Sequence, residues 1–170
     1  MESLTITHVN QFFENNLPKL IEKLTPNLKP IWGQMTPQHV MEHLTSSIQM
    51  SNGKVNHPIF TPEDKIERAQ RYLYNRWGAQ RNFKSPVLDR DKLPELIHPE
   101  LETAKQAFWK EWNDFEQFFK ENPNEKTPNP VFGFLNEEQW RRFQFKHFIH
   151  HMTQFGLAKT EDFGLKESLY

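Results

Sequence analysis

No cysteine occurs anywhere in the 170 residues. That absence excludes disulfides, thiolate metal ligands, iron–sulfur clusters and a cysteine nucleophile. There is no excess of positive charge either. Lys+Arg 21 against Asp+Glu 22 leaves a net charge of −1, so nothing favours a phosphate backbone and no nucleic-acid partner is expected. Apolar runs are short, with a mean hydropathy of −0.82, and none approaches the ~20 residues of a membrane span. The opening MESLTITHVNQFF lacks a basic region followed by an apolar core, so no signal peptide and a cytoplasmic location are expected. No glycine-rich phosphate loop, G-x-S-x-G elbow or paired-carboxylate site is present. What the chain does have is rings: Phe 15, Trp 5 and His 8. Large aromatic side chains must supply much of the core. The length suits a single domain, 1–170, able to bury roughly two-thirds of its unfolded surface without a covalent staple.

Periodicity predicts helices and no strand. Val9, Phe12, Phe13, Leu17, Leu20, Ile21 and Leu24 recur at helical spacing, placing a first helix over about His8 to Leu24, with Pro18 kinking it. A second begins at Thr36-Pro37, a cap residue followed by a proline suited to the first helical position, and ends near Ser51-Asn52-Gly53. The same start returns at Thr61-Pro62, with Glu63 and Asp64 at the positive end of the dipole; this shorter, polar helix reaches about Trp77. Arg68, Arg71, Arg76 and Arg81 gather around it as a solvated face or rim that could receive an anion. The third long helix runs from near Pro99 to Lys120, and its stripe Leu101, Ala104, Phe108, Trp112, Phe115, Phe119 is core. A proline-rich loop precedes the fourth, which opens at Asn136 with Gln139 three positions on, a capping box. It runs to about Phe155, before Gly156 and a short polar tail, 158–170. Four long amphipathic helices and a short one imply an all-α, antiparallel four-helix bundle.

The histidines carry the chemistry. His147 and His151 lie four apart, about 40° apart on one helical face, flanked by Trp140, Phe143 and Phe155. Imidazole nitrogens in an apolar stripe must be satisfied, and a divalent ion does this well. His43, between Val40 and Leu44, also faces inward and completes a three-histidine site if the second and fourth long helices are neighbours. Such a set leaves a coordination position open for water or substrate. Spacing alone leaves two readings, ligands or satisfied core histidines. A rival motif, His39-Val-Met-Glu42-His43, matches the inverted zinc-protease pattern H-x-x-E-H, with His39 and His43 as ligands and Glu42 activating water. His39 lies about 100° from Val40, off the centre of the stripe.

Together, WGQMTPQHVMEHL and His147-x-x-His150-His151-x-x-Gln154 resemble the DinB/YfiT-like superfamily of metal-binding four-helix bundles, and within it a branch known only as a domain of unknown function. The resemblance covers almost the whole chain. It implies His43, His147 and His151 as ligands of zinc or nickel, His150 as a neighbour, and Gln154 as a group orienting a ligand or bound water. The chain departs at Met152-Thr153, where many relatives carry Arg-Gly, so no arginine is available there for an anionic cosubstrate. The resemblance further implies transfer of a low-molecular-weight thiol to an electrophilic small molecule, and paired subunits, a homodimer. A metal-dependent hydrolase and a non-catalytic metal-binding bundle are the alternatives.

Overall fold

The computed structural model describes residues 3–81, 83–89 and 91–168. It is mostly helical, with one small two-stranded sheet.

Helix α1 runs as Ile6–Gln11, passes through a π-helical stretch Phe12–Asn16 and continues as Leu17–Glu22. The π stretch answers Pro18. A proline cannot donate to the carbonyl four residues back, and the helix widens just before it, with the Leu17 N–H reaching Phe12 O. The expected kink is thus absorbed as a bulge, which seats Phe12 and Phe13 in the core.

Helix α2, Pro37–Ser51, starts where the Thr-Pro pair predicts. The Thr36 hydroxyl accepts the His39 N–H at 3.3 Å, and His39 Nδ1 accepts the Thr36 N–H at 3.4 Å. Helix α3, Glu63–Arg71, departs from expectation at both ends. Pro62, in extended conformation, occupies the cap, so Thr61 does not cap it. Beyond Arg71 the chain tightens into turns, Leu73 N to Gln70 O and Tyr74 N to Arg71 O. The Lys146 ammonium takes the Tyr72 carbonyl.

Helix α4, Leu101–Glu121, buries the whole predicted stripe. The Trp112 ring lies 4.6 Å from Phe13 and 5.0 Å from Phe115, and Phe108 meets Phe148 edge-on at 5.5 Å. Rings from α1, α4 and the last long helix therefore fill the interior, as the composition requires.

The proline-rich loop corrects the expectation of no strand. β1, Thr127–Asn129, pairs antiparallel with β2, Gly133–Leu135, in the register Thr127↔Leu135 and Asn129↔Gly133. Asn129 Oδ1 accepts the N–H groups of Val131 and Phe132 and closes the turn. Pro128 and Pro130 mask these strands in sequence, because proline normally argues against a ladder.

Helix α5, Glu137–Gln154, opens with the predicted capping box: Asn136 Oδ1 accepts the Gln139 N–H and Gln139 Oε1 accepts the Asn136 N–H. α2 packs along α4, α1 packs on α5, and α2 also meets α5. The tail is pinned rather than loose. His8 Nε2 bonds Phe163 O at 2.7 Å, Leu165 is buried, and Trp77 bridges to Lys166. Residues 169–170 of the expected tail lie outside the described residues. Among the described residues, no helix is long and apolar enough to cross a membrane.

Candidate metal centre

The α2–α5 contact brings His43, His147 and His151 together. The nearest ring nitrogens, one from each residue, all lie within 4.8 Å of one another. Ring centroids are 4.8 Å apart for His43 and His147, and 4.9 Å apart for each of the other two pairs. Tetrahedral zinc, with Zn–N near 2.0–2.1 Å, sets ligand nitrogens about 3.3 Å apart, so three rings this close can hold one ion.

His43 Nε2 and His147 Nε2 are 2.9 Å apart. Two lone pairs at that distance repel unless a proton or a cation stands between them. Among the described residues, His147 Nδ1 is buried with no hydrogen-bond partner. The third ring is held from behind: His151 Nδ1 lies 2.9 Å from Gln154 Oε1, and Gln154 Nε2 donates to Trp32 O at 3.0 Å.

Burial, reinforced by the neighbouring histidines, keeps all three rings neutral. His43 is pushed down to about 4, first by burial and then by His150. His147 and His151 fall well below the usual histidine range for the same first reason, with His43 the next contributor to each. Neutral imidazole is the ligating form. No carboxylate joins the cluster among the described residues.

The other sequence candidates stand apart. His39 is spent on the α2 cap, its Nδ1 2.7 Å from Thr36 Oγ1. Glu42 turns away from His43 and accepts the N–H groups of Ile97 at 2.8 Å and His98 at 3.0 Å, together with Gln38 Nε2 at 3.1 Å. Burial opposes its charge, yet these donors hold its carboxyl below the usual range. The H-x-x-E-H residues are thus not assembled into one site. His150 sits on the flank as expected, edge-on to Trp32 at 6.1 Å, with the Arg81 guanidinium 4.2 Å from the same indole. Met152 is buried and Thr153 bonds the His150 carbonyl.

One turn deeper, Ser47, part of the periodic pattern of its helix, donates at 3.0 Å to Gln144 Oε1, which periodicity did not single out. The backbone of Trp32 was missed in the same way. A carbonyl leaves no mark in sequence, and the only local signal was Gly33 beside it.

No known protein family, curated protein or solved structure matches the chain. What the centre can do follows from its donor set. Three uncharged nitrogens on two rigid helices suit a borderline divalent ion and leave its full charge to be met by a further ligand. A ring that ligates through Nε2 carries its proton on Nδ1 and donates it to an acceptor; for His147 no such acceptor is found among the described residues.

Proposed function

We propose that the chain folds as a DinB/YfiT-like four-helix bundle whose His43, His147 and His151 bind zinc or nickel, and that it transfers a low-molecular-weight thiol to an electrophilic small molecule. One observation carries the reading: three neutral imidazoles converge with no carboxylate among them. A bound divalent ion would keep its positive charge, lower the pKa of a coordinated thiol and hold it as the thiolate. The chain has no sulfur nucleophile of its own, so the sulfur must arrive with a cosubstrate. In this reading His43, His147 and His151 bind, Gln154 fixes the direction in which His151 presents its lone pair, and the aromatic packing around α5 limits water. The new bond joins the thiolate sulfur to the electrophilic carbon, the leaving group departs with the electron pair, and the thiol proton goes to solvent.

The test has two stages. Protein purified without a histidine tag is analysed for metals, and near-stoichiometric zinc or nickel is expected. The loaded protein is then given monochlorobimane with and without a panel of small thiols. Enzyme-dependent loss of the electrophile only when thiol is present, abolished in His151→Ala, supports transfer. Metal-dependent turnover without any thiol points to hydrolysis instead, and no turnover with metal bound leaves a binding bundle.

A further inference from the structure

The segment between α1 and α2 makes two hydrogen bonds to Gln154 at the end of α5. The Ile31 N–H donates to the Gln154 backbone carbonyl at 2.7 Å, and the Gln154 side-chain Nε2 donates to the Trp32 carbonyl at 3.0 Å. A backbone carbonyl can only accept. The nitrogen end of the Gln154 amide must therefore face Trp32, and its oxygen end must face His151 Nδ1, 2.9 Å away. That oxygen can only accept as well, so Nδ1 carries the proton and the Nε2 lone pair of His151 is free. A main-chain atom more than a hundred positions away from His151 thus decides which of its nitrogens can ligate.

The next residue makes this contact possible. Gly33 has φ +77°, a left-handed conformation that other residues adopt at a cost, and a Cβ built there would stand 2.6 Å from Gln154 Nε2. The group in the way is the end of a flexible side chain rather than backbone. When a methyl group is added, the amide is what gives.

We infer that Gly33 is a positioning residue for the histidine cluster: it lets the Trp32–Gly33 turn lie directly on Gln154, so that the Trp32 carbonyl locks the Gln154 amide and the amide locks His151 with Nε2 available. The consequence for metal binding rests on the metal reading of the cluster; the consequence for the His151 proton does not.

The test separates the two. In chelator-treated protein, long-range proton–nitrogen NMR of the imidazoles reports the tautomer of His151. The wild type is expected to show the Nδ1–H form. Gly33→Ala, and Gly33→Asn, which tolerates the left-handed backbone better, should shift His151 towards a mixture or the Nε2–H form. In a zinc competition assay each should bind about tenfold or more weakly, as loss of an outer partner does. Gly53→Ala controls for strain alone: Gly53 has φ +75°, but among the described residues its added Cβ meets only Thr127 Cγ2 at 3.8 Å. It should leave both readouts unchanged. Gln154→Leu should reproduce the Gly33 effect, and Gly33→Ala combined with Gln154→Leu should be no weaker than Gln154→Leu alone. A Gly33 variant that keeps the wild-type tautomer, or an additive double variant, overturns the inference. Failure of both Gly33 variants to fold would also overturn it, because the clash would then not be relieved through Gln154. A wild type that shows the tautomer response but binds no zinc would overturn the metal reading and leave the role of Gly33 standing.

Discussion

His43 Nε2 lies 2.9 Å from His147 Nε2, joining residues 104 positions apart across the α2–α5 seam. A proton on one Nε2 or a cation shared by both satisfies that distance, and the metal reading takes the second. Replacing either partner, or His151, by alanine should therefore abolish stoichiometric metal. The loss should exceed the about 10–100-fold that outer-shell partners are worth. Elemental analysis of the three variants checks this, with circular dichroism to establish that each remains helical. Metal content unchanged in His43→Ala would remove that residue from the site.

The metal-free fold should lose stability as pH falls. His43 is held at about 4 against an ordinary 6.5, chiefly by burial, and His147 and His151 move in the same direction. Between pH 6.5 and about 4 the unfolded chain binds protons that the folded chain refuses, so acid favours unfolding through that window and the stabilisation returns above it. Lys146, pushed down to about 7 by burial and then by Arg142, extends the slope between about 7 and 10.5. Urea midpoints in chelator at pH 7, 6 and 5 should fall in that order. His43→Leu should flatten the series.

Glu42 is predicted to be a clamp and not a base. Glu42→Ala removes the acceptor of the Ile97 and His98 N–H groups and should cost about 0.5–1.5 kcal/mol of stability. Metal content should stay at the wild-type level. A variant that unfolds no more easily but loses metal would instead revive the H-x-x-E-H reading.

One indole ties the small sheet to the end of α2. Trp140 Nε1 donates to Thr127 Oγ1 at 2.7 Å, and Thr127 Oγ1 donates on to the Ser51 carbonyl at the end of α2, also at 2.7 Å. Trp140→Phe keeps most of the ring and removes the donor, at an expected cost of about 1–2 kcal/mol. Amide exchange should quicken at residues 127–135 while the α2 and α4 interiors stay protected. Uniform loosening of the whole molecule would show that the hairpin is not held locally.

Much of this was legible in the chain itself, and for local reasons. The Thr36 and Asn136 caps, the Phe108–Phe119 stripe and the pairing of His147 with His151 all depend on residues within a turn or two of one another. Helical geometry makes such neighbours predictable. The hairpin escaped because Pro128 and Pro130 spoil the periodic signal, although the Asn129 side chain supplies the turn. The end of α3 escaped because the Lys146 ammonium, far along the chain, takes the Tyr72 carbonyl.

The sequence by itself determined the long helices, the Thr36 and Asn136 caps, the aromatic core, the absence of any thiol and the shared face of two histidines. Only the tertiary structure decided that α2 meets α5, so that His43 completes the cluster. The same packing aimed Glu42 at residues 97–98 and laid Gly33 against Gln154. The division has a physical cause. Hydrogen-bond periodicity acts over four residues, whereas the meeting of imidazoles, a carboxylate with a distant loop and a carbonyl with an amide depends on how whole helices pack.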